Sequence, residues 1–169
     1  MKNAFKTTAI LLTALSTFLA CKKKIDDPTD FTVDDQNLTD CPQGTSCSFQ
    51  YANYASMAGD QLTLTTGQHR IFWARNENNY STSWLYFQAP MLGDKFLLND
   101  ADILAGSVKY VFACALCYAN VPKPVGGMVK GIMIAKHGNQ PEKWLLESKI
   151  VMGGSNDTLR IKQYYNAVQ

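Results

Sequence analysis

Trp144-Leu145-Leu146-Glu147-Ser148-Lys149-Ile150-Val151-Met152, then Gly153-Gly154-Ser155-Asn156-Asp157, then Thr158-Leu159-Arg160-Ile161-Lys162 is the stretch that decides the fold. Trp144, Leu146, Ile150 and Met152 stand at even positions, with Glu147 and Lys149 opposite. Period-2 alternation is the signature of a half-buried strand. The Gly-Gly-Ser-Asn-Asp run supplies turn chemistry. Leu159 and Ile161 then alternate with Arg160 and Lys162, so the segment reads as a β-hairpin with one wet face.

The same signal recurs upstream. Met128 to Ala135 reads as a strand pairing with this hairpin across the loop His137-Gly138-Asn139-Gln140-Pro141. Val108, Tyr110, Phe112 and Cys114 share one face of another strand, with Lys109 opposite. Trp84-Leu85-Tyr86-Phe87 is an apolar run bounded by Ser83 and Pro90. Leu62 and Leu64 alternate with Thr63 and Thr65 over Gln61–Thr66, and Ile71 and Trp73 alternate with Phe72 and Ala74. Thr66-Gly67-Gln68 between these two runs suggests a hairpin turn. The one helical turn expected is Asp100 to Ala105, capped by Asp100 and ended at Gly106. These signals predict a mostly β fold, an antiparallel β-sandwich or barrel of about eight strands with at most one short helix.

The chain begins differently. Lys2 and Lys6 precede an apolar run from Ala9 to Ala20, followed by Cys21-Lys22-Lys23-Lys24. A basic start, a short apolar core and a small residue at the cut site make a secretory signal over residues 1–20. The run is about 18 Å long as a helix against roughly 30 Å of bilayer hydrocarbon, too short to span. Leu19-Ala20-Cys21 after such a run resembles the lipobox of bacterial lipoproteins. The resemblance implies that Cys21 becomes the lipidated first residue of the mature chain, and that several acyl chains anchor it to the membrane. Cys21-Lys-Lys-Lys-Ile-Asp26-Asp27-Pro28 is similar to the export signal of some Gram-negative surface lipoproteins, in which lysine and paired acids follow the cysteine. It implies an outer-membrane, periplasmic or surface-exposed location. Two or more acyl chains hold stably where one does not, at about 0.8 kcal/mol per buried methylene.

Removing residues 1–20 takes away two of the sixteen basic side chains and none of the fourteen acidic ones, leaving fourteen of each. A near-neutral mature chain lacks the clustered basic surface of a nucleic-acid binder. Asp26, Asp27, Asp30, Asp34, Asp35 and Asp40, with Pro28, make residues 21–40 a polar tether unable to order itself by burial. Phe31 and Val33 are its two residues suited to pairing onto the domain edge. Residues 41–169 then form a single β-rich domain, long enough for a real core.

Four cysteines remain, Cys41, Cys47, Cys114 and Cys117. Export to an oxidising compartment favours disulfides. The five-residue gap between Cys41 and Cys47 is wider than usual zinc-ligand spacing, so no metal site is expected. Three pairings are open. Pro42 and Gly44 favour a local Cys41–Cys47 bridge. A fully extended Cys114–Cys117 segment would put its Cα atoms about 10 Å apart, beyond the roughly 7 Å a disulfide tolerates; that strand must turn, or each cysteine pairs elsewhere. A thioredoxin-like role for Cys114-Ala-Leu-Cys117 needs a following helix, and Tyr118-Ala-Asn-Val-Pro122-Lys-Pro124 cannot supply it.

Other chemistry is sparse. His69 and His137 stand at predicted strand ends and read as plain surface residues; the rival enzymatic reading, a secreted hydrolytic or thiol-redox enzyme, would use one of them beside an acid or thiol. Asp100 and Asp102 have the spacing of the first two ligands of a calcium loop, but Leu104 occupies the third ligand position. Glu77, Glu142 and Glu147 are scattered. No phosphate-binding glycine loop or nucleophile elbow appears, and no cofactor is implied. Trp73, Trp84, Tyr86 and Phe87 are candidates for stacking on sugar rings, although strand alternation places at least half of the four in the core. The expectation is therefore a lipid-anchored protein whose β domain binds a partner or serves a structural role. Its partners would be the membrane and a carbohydrate or another envelope protein.

Overall fold

The computed structural model describes residues 30–59, 62–114, 120–134, 142–154 and 157–168. Among the described residues nine strands form one sheet: β1 (Ser46–Ala58), β2 (Thr63–Thr66), β3 (His69–Glu77), β4 (Ser81–Pro90), β5 (Lys95–Leu98), β6 (Val108–Cys114), β7 (Pro124–Ile134), β8 (Lys143–Met152) and β9 (Thr158–Ala167). The spatial order is β5-β7-β8-β9-β1-β3-β4-β6, with β2 beside β1. The sheet curls into a half-barrel whose edges are β5 and β6. It is mixed rather than wholly antiparallel: β1 and β9 run parallel through Gln50↔Asn166 and Tyr51↔Ala167.

The decisive hairpin forms as read, β8 pairing antiparallel with β9 from Lys143↔Asn166 to Val151↔Thr158. β7 lies on its other side. Trp144, Leu146, Ile150 and Met152 all face the core, where they meet Tyr51, Phe72, Phe87, Phe96, Ile103, Val129 and Tyr165. Phe72 is the centre of an aromatic cluster, with ring centroids 5.3 Å from Phe96, 5.4 Å from Tyr51, 5.5 Å from Trp144 and 5.7 Å from Tyr165. Gly131 is required beneath Phe96, whose ring fills the space a Cβ would need.

Three sequence expectations are corrected. Thr66-Gly67-Gln68 is no hairpin turn. β2 and β3 both pair with β1, as two successive parts of one partner to that long strand. Gly67 donates its N–H to the Tyr54 carbonyl at 2.8 Å, and a Cβ there would collide with Ser56. Second, the helical turn α1 (Asp100–Asp102), continued by a wider π-type turn over Ile103–Ser107, is capped by Asn99 instead of Asp100. Asn99 Oδ1 accepts from the N–H groups of Ala101 and Asp102, and the Asp102 carboxylate accepts from Asn99 N–H. This is a capping box. The Asp100 carboxylate accepts the N–H of Gly127 on β7 at 2.5 Å. Gly106, at φ +93°, does end the turn. This segment joins the two sheet edges, and Ile103 is buried in the core.

Third, the compact unit begins at Phe31. Residues 31–40 form a strap across the sheet. Lys95 Nζ donates to the Phe31 carbonyl at 3.0 Å, Val33 is buried, and Tyr164 donates its hydroxyl to Asp35. Lys162 Nζ pairs with Asp34 at 2.6 Å, and Thr39 exchanges bonds with Lys162 through both its N–H and its hydroxyl. The lysine holds the Asp34 carboxyl below its ordinary range.

Candidate binding face

Alternation in β3 and β4 sends Phe72, Ala74, Leu85 and Phe87 inward and leaves Trp73, Arg75, Trp84 and Tyr86 on the outer face. Antiparallel register then sets their neighbours. One row across four strands reads Gln50, Trp73, Tyr86, Lys109; the next reads Ser48, Arg75, Trp84, Val111. Directly paired residues share a face. The three candidate aromatics thus fall on one outer surface, each partly exposed. Only Phe87 of the four is core, fully buried. Alternation within one strand cannot show this, because Trp73 joins the patch from the neighbouring strand.

The Trp73 and Tyr86 rings lie 6.4 Å apart, tilted by 35°. Arg75 lies over Trp84 at 6.0 Å and pairs with Glu77 at 2.8 Å. Partial burial raises the Tyr86 hydroxyl above its ordinary range, and the neutral phenol serves as donor and acceptor. The face combines apolar ring surfaces with the polar side chains of Gln50, Arg75 and Lys109.

A second feature is a cleft of about 230 Å³ where the strap meets the splayed strands β1 and β9. Phe49, Leu85, Tyr110, Leu159 and Ile161 line its floor, and Thr39, Pro42 and Cys47 form a wall. It is smaller than the roughly 300–1,000 Å³ typical of small-molecule sites.

At the other end of β3 lies a polar cluster that sequence reading missed. Arg70, 6% exposed, places its guanidinium 4.2 Å from the centre of the Trp144 ring. Its Nε donates to Asn53 Oδ1 at 2.8 Å and its Nη2 to the Met91 carbonyl at 3.4 Å. Burial lowers its pKa. Glu142 accepts from the Tyr51 hydroxyl at 3.1 Å and from Trp144 Nε1 at 3.0 Å. Desolvation, with Glu142 beside it, pushes Tyr51 up to about 12. The available signal was a lone arginine beginning the run Arg70-Ile71-Phe72-Trp73.

Cys41 and Cys47 form a disulfide with Cα atoms 5.8 Å apart. Cys114 is also disulfide-bonded, which removes its free thiol, and the Cys41–Cys114 pairing is excluded. Cys21, Cys117 and His137 lie outside the described residues. Among the described residues His69 Nδ1 is buried with no hydrogen-bond partner. Glu77, Glu142 and Glu147 stay apart: Glu77 serves Arg75, Glu142 serves Tyr51 and Trp144, and Glu147 is exposed on β8. Among the described residues no three His, Cys, Asp or Glu side chains converge as a metal site. No protein-family model, curated protein or solved structure matches the chain.

Proposed function

We propose that this chain is a lipid-anchored cell-envelope protein that binds carbohydrate on the Trp73–Tyr86–Trp84 face. The observation that supports it is the cross-strand register, which gathers three partly exposed rings on one surface beside Gln50, Arg75 and Lys109. A pyranose presents an apolar C–H face that stacks on such rings, and its hydroxyls need planar polar partners at the rim. A protein partner, the rival occupant, would favour an apolar centre with fully desolvated anchors. Here Lys109, a residue type depleted at such interfaces, stands directly beside Tyr86 instead. The anchor reading rests on Leu19-Ala20-Cys21 and the apolar run before it.

Two measurements test the two halves. Mass spectrometry of the mature protein should find acyl chains on an N-terminal Cys21, and an unmodified N-terminus there removes the anchor. The Cys21→Ser chain should bind members of an array of envelope and extracellular glycans, with a change in tryptophan fluorescence. Trp73→Ala and Tyr86→Ala should each weaken that binding about tenfold, by analogy with the roughly 1–3 kcal/mol that one stacked aromatic contributes to nucleobase binding. Unchanged affinity in both variants, or no glycan bound, refutes the carbohydrate reading.

A further inference from the structure

The buried Arg70 cluster accounts for an otherwise unexplained exposed tip. β1 carries a bulge between Ala52 and Ala55, and Tyr54 within it takes φ +54°, a left-handed conformation that costs a non-glycine residue about 1–2 kcal/mol. That conformation leaves Tyr54 69% exposed. Its N–H points at Met91 Sδ, 3.5 Å away, and the next residue, Leu92, is 87% exposed. Arg70 grips both segments from inside the barrel, through Asn53 Oδ1 and the Met91 carbonyl. His69 ties them further, paired with Ala55 on one side and Pro90 on the other. A strained bulge and a loop are thus held rigid so that an aromatic and a leucine project into solvent.

The chain's entry point lies on the same side. Phe31 has its carbonyl held by Lys95, three residues after Leu92, and its ring lies 5.8 Å from the Lys95 ammonium and 5.7 Å from that of Lys130. Only nine residues lie between Cys21 and Phe31, ten steps that reach at most about 35 Å when fully extended. We propose that the Tyr54–Met91–Leu92 tip is a membrane-contact element, which seats this end of the half-barrel on the bilayer that holds Cys21. The orientation rests on the lipid-anchor reading; the tip's own affinity for lipid does not. Tyr at the headgroup level and Leu below it is the usual division of such residues at a bilayer interface. Asp94 and Lys95 follow Leu92 in the chain with opposite charges, so insertion would be apolar and only weakly dependent on salt. It would leave the Trp73–Tyr86–Trp84 face, on the barrel wall, open to solvent.

The test places a polarity-sensitive fluorophore at Asp94→Cys, beside the tip, and at Tyr80→Cys as a control. Tyr80 lies before β4 and Asp94 beyond its end, about 33 Å apart along that strand. Both labelled chains are studied as the mature lipidated protein in phosphatidylethanolamine–phosphatidylglycerol vesicles containing doxyl-labelled lipid. They are also studied as Cys21→Ser chains with the same vesicles at millimolar lipid. Quenching and a blue shift are expected at position 94 and not at 80, in both forms. Tyr54→Ser/Leu92→Ser should lower the partition coefficient of the Cys21→Ser chain at least about tenfold. Lipidated protein that floats with vesicles while position 94 stays unquenched overturns the tip and leaves the anchor standing. Failure to float, with quenching at 94 in the Cys21→Ser chain, removes the anchor and keeps the tip. Quenching that survives the double substitution overturns the proposal. So does a soluble dimer that the double substitution dissociates without any lipid quenching, which would make the tip a self-association surface.

Discussion

Replacing Arg70 by methionine keeps most of the side-chain volume and removes the charge, so it isolates what the guanidinium contributes. The attraction to Trp144 at 4.2 Å in a desolvated setting is worth about 2 kcal/mol. The charge-assisted bond to Asn53 at 2.8 Å adds about 2 kcal/mol. The 3.4 Å bond to the Met91 carbonyl is long and counts for little. Losing these leaves Asn53 Oδ1 and the Met91 carbonyl without a donor, at a further cost of about 1 kcal/mol or more. Against that loss stands the penalty for burying a cation, several kcal/mol, which the substitution returns. The field of Glu142 already offsets part of that penalty, since it favours the charged form of Arg70. The expected net loss is about 2 kcal/mol, or a fall in Tm of about 8 °C for a domain of this size. Arg70→Ala adds a cavity and should cost about 3–5 kcal/mol. Urea titration measures both, and amide exchange at Tyr54 and Leu92 should quicken in Arg70→Met because the tip has lost its grip. An Arg70→Met protein as stable as the wild type, with unchanged exchange at the tip, would refute this account of the arginine.

Gly127→Ala should prevent stable folding or cost more than about 3 kcal/mol, because φ is +122° and a Cβ would strike the Lys149 carbonyl on β8; circular dichroism on the purified variant decides. Replacing Cys41 and Cys47 by serine should lower stability by about 2.4 kcal/mol on the loop-entropy model, read from urea midpoints under non-reducing conditions. A loss under about 0.5 kcal/mol would show that the strap's bonds to Lys162 already hold that loop. Alkali should unfold the protein, since burial raises Tyr51, Tyr86, Tyr164 and Tyr165 above the ordinary phenol value. A folded pKa above the unfolded one gives stability fully present below about pH 10 and lost as pH climbs through the folded values, to about 12 for Tyr51. Urea midpoints flat across that window would contradict it.

The β8–β9 hairpin was legible because large apolar side chains alternate with charged ones along both strands. β1 is harder to see in sequence, although Cys47, Phe49 and Tyr51 alternate with Ser48, Gln50 and Ala52. Its second half breaks that alternation at the Tyr54 bulge, and small residues such as Ala55 and Ser56 carry little hydropathy signal. β5 is only four residues long, below the length at which alternation is countable. The misread at Thr66-Gly67-Gln68 has a different cause. A glycine between two strand patterns marks either a turn or a close backbone approach, and only the partner strand distinguishes them. In sequence the strap resembles a tether because Asp34 and Asp35 look like solvent-seeking charges. Their partners, Lys162 and Tyr164, lie more than a hundred residues away.

The same non-locality separates the legible part of the candidate sites from the rest. Trp73, Trp84 and Tyr86 were visible as residue types, but whether they form one surface depends on register between β3 and β4. Shifting that register by a single residue would put Trp73 opposite a core position. The observed pairing of Phe72 with Phe87 keeps both in the core and thereby forces Trp73 and Tyr86 together outside. That residues 73 and 86 lie together outside is thus a consequence of how the core pairs, while their being aromatic is not. Large partly exposed rings are not needed to hold β3 and β4 together when Phe72, Ala74, Leu85 and Phe87 already do so from within. Threonine at 73 and 86, a residue favoured on a wet strand face, should therefore leave stability within about 1 kcal/mol of wild type. If instead that double substitution unfolds the domain, the rings are structural and the surface has no claim to a ligand.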